Sequence, residues 1–258
     1  MTLSHYWMLV DQLARMSLKA DASRLYFGYL WWVLEPLLYV GVFYVVFDVI
    51  LSSGRADFLI FLMCGKLMFS WFSKSVTQAS TSIVTGRGLI SKIDIPKSLF
   101  PVARIHEGLY RQIWVLLLLL VLLWMSGYGV NVAYLWLPAV LAVNYLLIVA
   151  AGVLAATLVC VAQDFAPMIS LTMTFLLFVS GIFWDPRDLA DPATTALILA
   201  LNPIAFLVDA YRQILMYQQA PDPLHLALLG LVCGVCVVLL LALLRRYSRA
   251  LALRALTR

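Results

Sequence analysis

The sequence predicts an all-α membrane protein. It should have six transmembrane helices, an N-terminal amphipathic interface helix, and a re-entrant helical excursion on the outer side between spans five and six. Three observations carry this. Composition is the first: 64% of the 258 residues are hydrophobic and 12% charged, against about 45–50% and about 25% in a soluble domain. The second is a set of charge-free stretches long enough to cross a bilayer. The third is the placement of the basic residues, which cluster on one side of the predicted bundle.

Residues 3–24 carry Trp7, Val10, Leu13 and Leu18 on one face and Asp11, Arg15 and Lys19 on the other. This is the pattern of a helix lying in an interface. The mix of charges excludes a cleavable signal peptide as the expectation here, so the N-terminus is expected in the cytoplasm. The first span covers about residues 29–51 and contains Glu35–Pro36. A carboxylate costs about 2.5–3.5 kcal/mol at mid-bilayer, and proline removes a backbone donor. Both together predict a helix facing protein or water rather than lipid.

Residues 58–84 contain Lys66 and Lys74, yet they must cross if the basic clusters are to share one side. Those clusters comprise Arg15, Lys19 and Arg24; Arg87, Lys92, Lys97 and Arg104; and Arg245, Arg246, Arg249, Arg254 and Arg258. Only Arg55, Arg187 and Arg212 then fall outside. Ser70, Ser73, Lys74, Thr77 and Ser80 recur at helical spacing in this second span. They form a face for a cavity, or Lys74 snorkels to the interface. Gln112 to Gln163 carries no charge and is broken by Ser126-Gly-Tyr-Gly-Val-Asn131, which makes it two spans. Phe165–Trp184 and Pro223–Leu244 supply the fifth and sixth spans. Between them, Asp185 to Asp222 holds two apolar helix-like pieces separated by Asn202–Pro203. The whole is one domain: interface helix 1–27, bundle 28–244 and basic cytoplasmic tail 245–258. The net charge of +5 reflects this topology, not affinity for nucleic acid.

Several chemistries have no supporting pattern. There is no phosphate-binding G-x-x-x-x-G-K-[ST] loop and no G-x-S-x-G elbow, and His5, His106 and His225 are scattered. No metal site is expected. Cys233-Gly-Val-Cys236 lies inside an apolar span, where small-residue packing is the expected role and redox activity is not. Any driving energy must come from a gradient or another chain. The loop 86–97 alternates apolar Leu89, Ile90, Ile93 and Ile95 with charge, and suits docking to a soluble partner or contact with lipid headgroups. Trp31, Trp32, Tyr39, Phe43, Trp71 and Phe72 are dense in the first two spans. Aromatic faces along a polar route suit sliding sugar rings, although most aromatics in any bundle serve packing.

Three stretches together resemble the membrane subunit of type-2 ATP-binding-cassette exporters, in the polysaccharide branch of O-antigen, teichoic-acid and capsule permeases. They are Gly28-Tyr-Leu-Trp-Trp-Val-Leu-Glu-Pro36, Gly88-Leu-Ile-Ser-Lys-Ile-Asp-Ile-Pro-Lys-Ser-Leu-Phe-Pro101, and Asn202-Pro-Ile-Ala-Phe-Leu-Val-Asp-Ala-Tyr-Arg212. The resemblance implies a homodimer in the bacterial inner membrane, both termini cytoplasmic, bound to two copies of an ATPase. It implies no cofactor on this chain, with ATP and Mg2+ acting through that partner, and no enzymatic activity of its own. The substrate would be an undecaprenyl-diphosphate-linked polysaccharide, with O-antigen leading and capsular polysaccharide or teichoic acid as alternatives. Export of a small hydrophobic compound on the same fold is a further alternative, as is a membrane transferase, which would need a carboxylate or histidine cluster.

Roles follow from the same resemblance. Arg87, Lys92, Asp94, Pro96 and Lys97 would couple to the ATPase. Trp31, Trp32, Glu35, Pro36, Tyr39, Phe43, Trp71, Phe72 and Lys74 would line the substrate path. Arg15, Lys19 and Arg24 would guard the entrance and meet the diphosphate. Asn202, Pro203, Asp209, Tyr211 and Arg212 would form the periplasmic gate, with Asp209 and Arg212 either paired at i,i+3 or solvated.

Overall fold

Apolar periodicity and a handful of Gly and Pro positions determine where the helices of this chain begin and end. The computed structural model describes residues 2–24, 26–50, 57–92 and 95–247. Among the described residues every regular element is helical. Helix α1 (Leu3–Arg24) is followed by a short turn at Gly28–Leu30 and then α2 (Trp31–Tyr44), which runs into a π-helical turn at Val45–Ile50. Gly28 has φ +50°, a left-handed conformation that glycine adopts at no steric cost. Around it the axes of α1 and α2 diverge by 99°. Pro36 is inside α2 and buried, so one backbone hydrogen bond is missing from the middle of that helix.

Helix α3 (Phe58–Ser80) is the central element. The short helices α4 (Ser82–Thr85) and α5 (Arg87–Ile90) follow, then α6 (Leu99–Met125). The predicted break at 126–131 is a turn with Gly127 at φ +86°. Asn131 then accepts from the Ala133 N–H to open the next segment. Helices α7 (Leu137–Val161) and α8 (Phe165–Val179) complete the middle of the chain. Helices α9 (Pro192–Leu201), α10 (Pro203–Leu215) and α11 (Pro223–Arg246) close it. The predicted excursion is thus α9 and α10, meeting at 109°.

Among the described residues, four segments are each long and apolar enough to cross a membrane: α3, α6, Val132–Val161 and α11. Helices α2 and α8 occupy the first and fifth predicted spans but are shorter, at 14 and 15 residues. The chain is a multi-pass membrane protein. Helix α3 packs against α6, α7 and α10, while α11 leans chiefly on α7, with His225 stacked on Phe206 of α10. Accordingly 72% of the most apolar stretch of α3 is buried, against 11% for α11. An apolar helix that exposed must face lipid or another subunit.

Helix α1 differs in one respect from the expected interface helix. Val10, Ala14, Leu18 and Ala22, at i,i+4 spacing, are its buried stripe and pack on α6, whereas Trp7 is exposed. Its charged face also meets protein, because Asp11 accepts from the Tyr110 hydroxyl of α6.

Candidate functional site

A cavity of ≈ 280 Å³ opens where the end of α1, the start of α2, the middle of α3 and α6 converge. Its walls are Trp31, Trp32, Tyr39 and Trp71; its polar groups are Asp21, Arg24, Glu35, Lys74, Gln78, Arg111 and Gln112. Pro36, Ser70 and Ser75 complete the rim. Alternation along α3 explains the set, since Leu67, Ser70, Trp71, Lys74, Ser75 and Gln78 fall at three- and four-residue spacing on one face.

Two ion pairs cross this space. Lys74 Nζ of α3 lies 2.5 Å from Glu35 Oε1 of α2, with the two side chains 51% and 31% exposed. The costly carboxylate of the first span therefore has a partner from the second. Arg111 of α6 bonds Asp21 of α1 at 2.6 Å and also Glu107 one turn below. Its guanidinium sits 5.5 Å from the Trp32 ring centroid. Glu107 is fully buried and is held from its other side by Arg104 at 2.9 Å. Arg104 in turn reaches Ser17 of α1. A buried carboxylate is tolerated only when paired and hydrogen-bonded, and Glu107 has two arginines.

At the outer edge of α1 the charges are more open. Arg15 bonds Asp11 at 3.0 Å and lies 5.8 Å from the Tyr110 ring centroid. The Tyr110 hydroxyl first, and then Arg15, hold the Asp11 carboxyl below its ordinary value of 3.8. Arg15 faces a second groove of ≈ 750 Å³, lined by Leu18, Tyr29, Leu30, Val33, Ile113 and Trp114 and sharing Trp32 with the cavity. Lys19 is exposed and borders neither space.

Seven of the nine residues expected along the path thus share one cavity, and Arg24 joins them. Two do not. Phe72 is 4% exposed and packs beside Phe69 in the interior, because a step of one residue turns a side chain about 100° around a helix. Phe43 lies one turn beyond Tyr39, stacks on its ring and meets Phe183 edge-on. Asp21, Arg111, Gln112 and Glu107 were not anticipated. Their signal was Arg104, Glu107 and Arg111 at i,i+3 and i,i+4 spacing, which reads as ordinary charge at a span's entry.

The expected coupling segment divides. Arg87 and Lys92 are exposed, whereas Ile90 is buried in the core of the chain itself. Lys97 is turned inward, 4% exposed, with Nζ donating to the Ile95 carbonyl at 3.0 Å. The Pro96 carbonyl accepts from Leu99 N–H in the turn that opens α6. Asp94, with Ile93, lies outside the described residues, as do Arg55, Arg249, Arg254 and Arg258.

At the opposite end of the bundle Asp209 and Arg212 are neither hydrogen-bonded to each other nor solvated. Asp209 is held by Arg187 through two bonds of 2.8 and 2.9 Å and by Gln213 at 2.6 Å. Arg212 is 1% exposed and donates to the carbonyls of Phe61 at 3.3 Å, Gly181 at 2.6 Å and Ile182 at 2.9 Å. Gly65 allows this, for a Cβ there would stand 2.7 Å from the guanidinium. Asp209 and Arg212 are neighbours on α10, yet groups from other elements engage both, Arg187 the first and the carbonyls of α3 and the 181–182 turn the second. Tyr211 is also buried. Asn202 caps α10, accepting from Ile204 and Ala205 N–H at 3.0 and 3.1 Å and donating to Ser180. Pro203 occupies the first helical position, where no donor is lost.

A membrane bundle with an aromatic and charged cavity at one end is the architecture of a membrane transport protein rather than of an anchor. The model of the ABC-2 type transporter family matches residues 13–216, and the chain belongs to that family. It is 28% identical over 240 residues to the O-antigen export system permease protein RfbA of Myxococcus xanthus, covering 93% of this chain and 91% of that protein. A permease of the same name from Klebsiella pneumoniae is 23% identical across 83% of this chain and 82% of its own length. The polysialic acid transport protein KpsM of Escherichia coli is 24% identical across 94% of both.

Proposed function

We propose that the chain is the membrane subunit of an ATP-driven exporter that moves a lipid-linked polysaccharide out of the cytoplasm. The observation that carries this is the cavity. It combines ring faces, which tolerate sliding, with ion pairs that can exchange partners, and it lies in a chain whose relatives are named for polysaccharide export. O-antigen is the preferred polymer, because the relative with 28% identity is an O-antigen permease, while the K. pneumoniae O-antigen permease at 23% and the polysialic acid protein at 24% do not separate the two.

In this reading the protein sits in the bacterial inner membrane with both termini inside. Two copies assemble, using the apolar exposed faces of α2 and α8. Two ATPase subunits, which bind ATP and Mg2+, press on the exposed Arg87 and Lys92 of the 86–97 segment. Because α4 packs on α6 and α7, and α6 carries the arginines that hold α1, a push there would reach α1 through Glu107. Helix α1 is then the entrance gate, with Arg15, Lys19 and Arg24 as cations for a diphosphate. Helices α9 and α10 form the outer gate as a braced unit.

Deleting the gene should leave lipid-linked glycan accumulating inside the cell, with loss of the surface polymer. Surface polymer at normal levels in that strain would overturn the proposal.

A further inference from the structure

Helix α3 is buried on nearly all sides, yet one narrow strip of it stays open. Beyond its first two residues, the positions that are not buried are Lys66, Ser70, Ser73, Lys74, Thr77 and Gln78. Steps of three and four residues put them on one stripe, about 18 Å long. Every member is polar. A span that turns a face to lipid does the reverse, as α11 does with exposed Leu228, Leu231, Val235 and Leu239. The open strip of α3 therefore faces water or a polar ligand.

Lys66 sets the charge of that strip. Lys74 has Glu35 at 2.5 Å, whereas among the described residues no carboxylate pairs with Lys66. Lys66 stands eight residues from Phe58, about 12 Å into α3, too deep for its stem to carry the ammonium out. Its Nζ lies 5.1 Å from the Tyr39 ring centroid instead. Tyr39 is 42% exposed and walls the cavity, so this cation stands at the cavity's edge on the Phe58 side. A ring face attracts an ammonium but supplies no acceptor atom. Two lysines against one carboxylate leave the strip with one cation uncompensated.

A neutral sugar would be served by the hydroxyls of Ser70, Ser73 and Thr77 and would offer Lys66 only a neutral acceptor. A carboxylate offers a charge-assisted bond, roughly twice as strong. It also neutralises a cation that is costly at this depth. We propose that Lys66 is a specificity-determining residue that selects a glycan bearing carboxylates, of the uronic-acid type. The hydroxyls of the strip bond ring hydroxyls as the chain passes, and Lys66 takes each carboxylate in turn. This assignment rests on the exporter reading and narrows its substrate to an acidic polymer.

The test is equilibrium binding to the full-length chain in phosphatidylcholine nanodiscs, with tritiated hexagalacturonate and maltohexaose as acidic and neutral probes. Saturable binding of hexagalacturonate is expected, at least about tenfold tighter than that of maltohexaose. The margin should shrink as salt rises. Lys66→Gln should weaken the acidic probe about tenfold and leave the neutral one and the melting temperature unchanged, while Lys66→Arg restores most of the difference. A merely structural lysine would shift the melting temperature and both probes together. Arg246→Gln, at an exposed cation on α11, should change neither probe. The proposal is overturned by absence of saturable hexagalacturonate binding, by equal binding of the two hexamers, by an unchanged acidic probe in Lys66→Gln, or by equal weakening of both. In the cell, the polymer lost on deletion should bind an anion exchanger at neutral pH, and a neutral polymer overturns the proposal as well. Loss of surface polymer on deletion without selective hexagalacturonate binding would sink only this inference, and selective binding without a polymer defect only the exporter reading.

Discussion

Charged side chains enter the bundle at both ends, but on opposite terms. At the α10 end, Arg212 spends its donors on three backbone carbonyls and Asp209 takes a two-pronged grip from Arg187, with both Arg212 and Asp209 almost wholly buried. At the α1 end, Glu35 and Lys74 are a third to a half exposed and face open volume. Residues of the same types are thus fixed in one region and exchangeable in the other. Tight satisfaction holds α10 to α3 and the 181–182 turn; loose satisfaction leaves room for a ligand.

The sharpest way to break the comparison is at Arg212. Arg212→Met removes the donors from three buried carbonyls and leaves a gap against Gly65, for an expected loss of about 3–5 kcal/mol. Against a total stability of about 5–15 kcal/mol, most of the chain should fail to give a monodisperse peak in detergent. Next comes Glu107→Gln. Its arginines can turn toward solvent or the cavity, so the cost should be nearer about 1–3 kcal/mol, read as a lowered melting temperature. Faster hydrogen exchange confined to α1 should accompany it.

The smallest effect is a pH dependence. Asp11 has its folded pKa lowered, so its contribution is present above its ordinary value of 3.8 and is lost as pH falls through the lower folded value. Exchange in α1 should therefore be flat from pH 5 to 8, apart from the intrinsic chemical rate, and rise only under strong acid. Because Asp11 is exposed, the rise should be slight.

Much of this was legible beforehand. The charge-free run from Gln112 to Gln163 and its Gly-rich break gave α6, the turn and α7, because apolar length and turn chemistry are local properties. Glu35, Pro36 and Lys74 stood out as costly residues in apolar surroundings, and they do share a cavity. What could not be read was pairing across the chain. Arg187 meets Asp209 only because α10 folds back over the 185–188 turn. Arg212 meets Phe61 across half the sequence. The outward face of a helix was also blurred where neighbours are alike, as with Trp71 at the cavity and Phe72 in the core. One signal was present and unused. Asp185–Pro186, Asp191–Pro192, Asn202–Pro203 and Asp222–Pro223 each place a capping side chain before a proline at the first turn, and each begins a helix.

The central claim, that charges around the cavity serve transport while those on α10 serve the fold, is tested most directly with Glu35→Gln. In a strain relying on this chain, surface polymer should fall at least about tenfold while the melting temperature of the purified variant stays within the small range expected for a partly exposed pair, about 0–1 kcal/mol. Full surface polymer in that variant, or a loss matched by an equal collapse in stability, would contradict the account.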